Sequence, residues 1–239
     1  MDMKRLFASL SISRLVAALR LWPVSASKFA YEPALRSELF SAEQMAEHGM
    51  LLAHQHHLSP CSATDVLLER LADNEVLLAR SCRLLTQATL STRRVTPAAE
   101  WLLDNFYLIE EQIRTAQLHL PKGYSRELPR LAKGPSAGLS RVYDIALEII
   151  SHGDGRVDSH SLSRFIAAYQ TVTPLTLGEL WAIPIMLRLA LIENLRRVAS
   201  RVMANWADRN LANDWADTIC ETAEQDAKSV VLSVADMAR

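Results

Sequence analysis

Residues 174–197, PLTLGELWAIPIMLRLALIENLRR, limit the folds open to this chain more than any other stretch. They form its most apolar run, yet they contain Glu179, Arg188 and Glu193 and end on Arg196 and Arg197. A membrane span needs about 20 largely uncharged residues, and an arginine at mid-bilayer costs at least about 2.5 kcal/mol on insertion scales. The charges therefore favour a helix buried in protein over one buried in lipid. Thr176 and Glu179 make the T-x-x-E pattern of a capping box, which predicts where the helix starts. Leu180, Leu187, Leu191, Val198 and Val202 recur at helical spacing, and Trp181, Ile185, Ile192, Leu195 and Ala199 form a second stripe beside them. Two apolar stripes imply burial on more than one side. Pro184 cannot donate to the carbonyl four residues back, so a kink or a restart is expected there.

The rest of the chain is what such a helix needs around it. With 239 residues, only seven glycines and nine prolines, and an apolar fraction dominated by leucine and alanine, the sequence favours helix over strand. The expected fold is all-α: a multi-helix, orthogonal or bundle-like domain around a central apolar helix near 177–205. Residues 1–40 read as an amphipathic helix ending near Trp22 and Pro23 plus a connector, and residues 41–239 as a single helical domain. The net charge of −1 gives no reason to expect a nucleic-acid partner. Residues 1–36 hold six Lys/Arg against two acids, which suits packing on the domain or peripheral contact of residues 1–22 with an anionic membrane surface. Cys61, Cys82 and Cys220 are too scattered for a disulfide framework; Cys82 and Cys220 read as small core residues.

Helix starts are written locally. Ser41 with Gln44 and Ser62 with Asp65 repeat the capping pattern, Thr96–Pro97 pairs an N-cap with a proline at the first helical position, and Ser140 and Asp158 open two further helices. The Thr96 helix reads as one piece through Leu120, with Leu102, Phe106, Ile109, Ile113, Ala116 and Leu120 on its stripe. Asn74 falls in the buried seam of Leu67, Leu71, Leu78, Cys82 and Leu85, where it either fixes register against a partner helix or marks a bend open to water. After Arg209 the segment RNLAND breaks the pattern, and a last amphipathic helix is expected from Asp214 with Trp215, Ile219, Ala223, Val230 and Val234 inward.

None of the chemical motifs closes. His54, His56, His57 and Cys61 match no common zinc spacing and read as a polar loop. Glu110 and Glu111, adjacent on a helix, point about 100° apart and cannot converge on one substrate; Glu110 and Arg114 can pair at i, i+4. Lys122, Arg126, Arg130 and Lys133 beside Tyr124 could meet a phosphate, but no P-loop pattern accompanies them, and a packed loop is the alternative. The HGDGRVD segment imitates a calcium loop until its twelfth position, which is Phe165 instead of a carboxylate.

Three segments carry a resemblance: VTPAAEWLLDNFYLIEEQIR at 95–114, LPKGYSRELPRLA at 120–132 and RFIAAYQTVTPLTLGELWAIPIMLRLALIENLRRVA at 164–199. Together they resemble the N-terminal region of the cyclic β-1,2-glucan synthases, continuously and in order over roughly residues 60–235. The resemblance implies a parent glycosyltransferase of the bacterial inner membrane. Such an enzyme takes glucose from UDP-glucose and builds a cyclic glucan for the periplasm. This chain has neither the D-x-D nor the Q-x-x-R-W expected of the transferase region. It is therefore expected to be the leading, non-catalytic region on the cytoplasmic face, with no cofactor or metal of its own, packed on the downstream transferase of the same polypeptide or complex. Trp101, Asn105, Glu111, Arg126, Glu127, Glu179, Trp181 and Glu193 lie inside the resembling segments and are the candidates for an interface or a buried polar network; each could equally be ordinary core or surface. The alternatives are a free-standing helical adaptor that docks through its basic and acidic ends, and a small enzyme using carboxylates with His54, His56 or His57.

Overall fold

The computed structural model describes residues 34, 35, 37–59, 66–90, 95–120 and 123–225. The expected helix at the chain start, Cys61, the Ser62–Asp65 cap, Lys122 and the inward positions Val230 and Val234 lie outside them. Among the described residues the fold is all-α: α1 (Ala42–Gln55), α2 (Val66–Leu90), α3 (Pro97–Asp104), α4 (Phe106–His119), α5 (Tyr124–Glu127), α6 (Arg141–His152), α7 (Ser159–Val172) and α8 (Leu177–Gln225). A two-residue antiparallel clip, β1 (Leu58–Ser59) with β2 (Arg130–Leu131), pairs Leu58 with Leu131.

Four starts follow their caps, whereas at α6 Ser140 stands at the N-cap without a side-chain cap bond. Ser41 and Gln44 exchange both bonds of the capping box at α1. The Thr96 side chain accepts from the Ala99 amide with Pro97 inside the first turn of α3, and the Asp158 carboxylate accepts from the Ser161 amide at α7. At α8, the Thr176 amide donates to Glu179 Oε2 at 2.9 Å while the Glu179 amide donates to Thr176 Oγ1 at 3.3 Å. Each satisfies backbone donors that a helix start leaves without partners.

Two helix boundaries differ from the sequence reading. The Thr96 helix is two helices, because Asn105 sits at φ −104°, ψ 8° between them. Its side-chain amide donates to the Trp101 carbonyl at 2.8 Å, so the asparagine competes with the helix for a backbone acceptor. Conversely, neither Pro184 nor the RNLAND segment interrupts α8, which runs 49 residues, about 74 Å at the usual rise. Pro184 is exposed, so its ring stands on the solvent side of the helix.

α8 is the axis of the fold: α6, α2, α4 and α3 pack on it, while α1 lies along α7. One continuous apolar cluster joins these groups, from Leu52 and Phe165 through Ile150 and Tyr143 to Met186, Ala190 and Trp206. Beyond Trp206 no described residue of α8 is buried; Ala223 and Cys220, expected inward, are exposed. Where α1 crosses α7, a Cβ on Gly49 would stand 3.0 Å from the Phe165 carbonyl oxygen and 3.4 Å from its ring. The gain in helix propensity from replacing this glycine is therefore outweighed once the side chain branches. Gly49→Val is expected to lower stability by about 1–3 kcal/mol through overpacking, measurable as a lowered urea midpoint with an unchanged m-value.

Candidate functional site

Two carboxylates on α8, Glu179 and Glu193, have no exposed surface at all. An ionised carboxylate cannot be left in such a place without a cation, and each is met by arginine from another helix. Arg70 of α2 forks onto Glu193, with Nε donating to Oε2 at 3.0 Å and Nη2 to Oε1 at 2.8 Å. Asn74, one turn further along α2, donates to Oε2 at 2.9 Å. From α8 itself, Arg196 Nη2 and Arg197 Nε donate to Oε1 at 2.7 and 2.8 Å. Asn74 thus fixes register against a partner helix, one of the two readings its place in the seam allowed.

The second network is built on Arg141, in the first turn of α6 and only 2% exposed. Its guanidinium forks onto Glu179, Nε to Oε1 at 2.8 Å and Nη2 to Oε2 at 2.6 Å. Burial works against the Arg141 charge, but the Glu179 carboxylate outweighs it and holds the pKa above the ordinary arginine value. The same guanidinium lies 5.9 Å from the ring centre of Tyr169 on α7. The Tyr169 hydroxyl meets His56 Nδ1 at 2.8 Å, and His56 Nε2 meets Asp144 Oδ2 at 2.9 Å. An ionised Asp144 can only accept, so His56 Nε2 donates to it, and in the neutral ring the phenol donates to Nδ1. One polar chain therefore ties α8, α6, α7 and the end of α1.

Asp144, His56 and a hydroxyl in line imitate the order of a charge relay. The hydroxyl is a phenol with no exposed surface, however, and burial pushes its pKa up to about 12 against the opposing pull of Arg141. No substrate atom can reach it. Its titration has a consequence for stability: between about pH 10 and pH 12 the unfolded chain has released the phenolic proton and the folded chain has kept it. Folding therefore loses stability as pH rises through that window. Tyr169→Phe should flatten the alkaline fall in unfolding free energy by up to one proton's worth of slope, read from urea titrations between pH 9 and about 12.

The sequence candidates divide. Glu179 and Glu193 are fully buried and lie at the centres of the two networks. Trp181, placed on the inner stripe by its spacing, is 77% exposed, and Trp101 is 54% exposed. Glu111, Arg126 and Glu127 are exposed, and Asn105 serves the helix break. Of the basic cluster, Arg130 is buried and donates to the Gly138 and Ser125 carbonyls, so it holds its own loop instead of facing a phosphate. Arg114 donates to the Glu110 carbonyl at 3.4 Å in place of the side-chain pair. Arg70, Arg141, Asp144 and Tyr169 are not among the sequence candidates, and Arg196 stands there only as a charge at the end of the apolar run; the available signal was an arginine inside an apolar helical stripe.

The space beside these networks is small. Arg70, Asn74, Tyr143 and Leu189 border a hollow of about 10 Å³, no larger than one water. A second hollow, between Phe40, Ile149, His152 and Arg156, measures about 190 Å³, below the roughly 300–1,000 Å³ of small-molecule sites. Each carboxylate at a network centre is already neutralised by a buried arginine, which disfavours a further cation beside it. Among the described residues no helix is long and apolar enough to cross a membrane.

No protein-family model matches the chain. The cyclic beta-(1,2)-glucan synthase NdvB of Rhizobium meliloti (strain 1021) is 32% identical to it over 195 residues, 81% of this chain. The chain spans only 7% of that protein's length. Four-fifths of this helical chain is thus related in sequence to one short segment of a cyclic beta-(1,2)-glucan synthase, as its three resembling segments imply.

Proposed function

We propose that this chain is a helical, non-catalytic region of a cyclic β-1,2-glucan synthase, packed on the glucosyltransferase region and held at the cytoplasmic face of the inner membrane. In this reading the parent enzyme takes glucose from UDP-glucose, and this region contributes shape and docking surface. The observation that carries it is the similarity to one segment of NdvB across four-fifths of the chain. The polar networks support it: Glu179 and Glu193 are fully buried and paired to arginines, which suits positioning helices and not acid–base work on a sugar. Exposed Trp101, Tyr107 and Trp181 favour protein contact as the role, whether with the transferase or, in the second reading, with an unrelated partner of a free-standing adaptor.

Two measurements test the proposal. The purified chain incubated with UDP-glucose should neither hydrolyse the donor nor transfer glucose; turnover abolished by a single carboxylate substitution would overturn the non-catalytic role. Co-expressed with a synthase transferase region, the chain should co-purify with it, and less so as Trp101→Ser/Trp181→Ser. Failure to co-purify with the transferase region favours the adaptor.

A further inference from the structure

His48 of α1 and Glu148 and His152 of α6 meet at one point, away from the two networks. His48 Nε2 lies 2.8 Å and His152 Nε2 3.4 Å from Glu148 Oε2. The three ligand atoms all fall within 4.8 Å of one another. Ligands around a tetrahedral ion at about 2.0–2.1 Å stand roughly 3.3 Å apart, so small side-chain adjustments bring these three to one ion. The spacing on α6 is i, i+4, which puts Glu148 and His152 on one face.

The orientation of His152 is what asks for a cation. Its Nδ1 lies 2.7 Å from the Glu38 carbonyl oxygen, which can only accept. The Nδ1 proton is thereby fixed, and in the neutral ring Nε2 turns a bare lone pair toward a carboxylate oxygen. Two electron-rich atoms at that distance need positive charge between them, either a proton or a metal ion. A backbone carbonyl on the far nitrogen is also the usual support of a metal-bound imidazole. Phe40 stacks on the His152 ring at 3.9 Å and 9°, and meets the His48 ring edge-on at 5.4 Å, so both imidazoles pack against it. The side chains keep 23%, 32% and 11% of their surface, enough for an ion to enter and for water to complete its shell.

We propose that His48, Glu148 and His152 form a binding site for a divalent first-row transition metal of the zinc class, joining α1 to α6. Two imidazole nitrogens and one carboxylate oxygen leave at least one position for water. Binding moves the His48 proton from Nε2 to Nδ1 and displaces any proton held on His152, so affinity falls on acidification.

The test is zinc titration of the full chain at neutral pH, by calorimetry and by competition with a chromophoric chelator. One ion per chain is expected, with affinity lowered at least about 10-fold by His48→Gln or His152→Gln. Glu148→Gln keeps a hydrogen-bond acceptor for His48, so it should fold as the parent does by circular dichroism and still lose the ion. His54→Gln/His57→Gln, at two exposed histidines, should leave binding unchanged. X-ray absorption should show two imidazoles. Absence of binding at micromolar zinc would overturn the site and leave the proton as the bridging charge. So would binding that survives loss of His48 and His152, or an absorption spectrum with oxygen ligands alone. None of these outcomes depends on whether the chain works with a glucan synthase.

Discussion

Replacing Glu193 with alanine is expected to remove about 3–5 kcal/mol of unfolding free energy, the range for taking one partner from a buried ion pair. The carboxylate is the shared acceptor for Arg70, Asn74, Arg196 and Arg197. Its removal takes the counter-charge from Arg196, which has no exposed surface, and from Arg70, which has 6%. Arg70→Met should cost less, because Glu193 then keeps Arg196 and Arg197. Urea denaturation of the two variants checks the order. A Glu193→Ala loss below about 1 kcal/mol, the worth of an ordinary surface pair, would show that the network does not organise the helices around it.

Arg141→Met is the second large effect, again about 3–5 kcal/mol. It leaves the buried Glu179 carboxylate with the Thr176 amide and hydroxyl but without the guanidinium that neutralises it. A second substitution should then restore stability. Glutamine at position 179 removes the charge and still serves the capping box, since that motif accepts either side chain. Arg141→Met/Glu179→Gln is therefore expected to be more stable than Arg141→Met by at least about 1 kcal/mol, a coupling that only neighbours in one network show. If the double variant instead loses the sum of the two single losses, the pair is not acting as a neutralised unit. Against a typical total of about 5–15 kcal/mol, these losses are large enough to read without ambiguity.

Much of the secondary structure was legible because its causes are local. A cap needs only a hydroxyl, amide or carboxylate within three residues of the amide it serves, and Ser41, Thr96, Asp158 and Thr176 stand in that relation to their helices. The apolar stripe of Leu102, Ile109, Ile113, Ala116 and Leu120 is buried as its spacing requires, on both sides of the break at Asn105. The break itself was not legible, since a single asparagine costs only a fraction of a kcal/mol in a helix interior and does not by itself end a helix.

The central helix shows where sequence reasoning stops. Its spacing was read through the largest side chains, which put Trp181 inside. Of the expected stripes, Ile185, Leu187, Ile192 and Ala199 are buried while Trp181, Leu191 and Val198 are exposed, and the least exposed line runs through Glu179, Ala182, Met186, Ala190, Glu193, Arg196, Ala199, Met203 and Trp206. Small residues there let several helices approach α8, and ionised ones are tolerated because arginines arrive from elsewhere. Nothing near Glu193 in the chain announces Arg70, which lies 123 positions away, and nothing near Glu179 announces Arg141. By itself the sequence determined that the chain is helical, where most helices begin and that it resembles a region of the cyclic β-1,2-glucan synthases, because caps, spacing and residue identity act over a few positions. Only the tertiary structure decided which carboxylate meets which arginine, which tryptophans face water, and that His48 meets Glu148 and His152. Those pairings depend on how helices far apart in sequence cross, and the free energy of a buried charge is set by what the crossing brings to it.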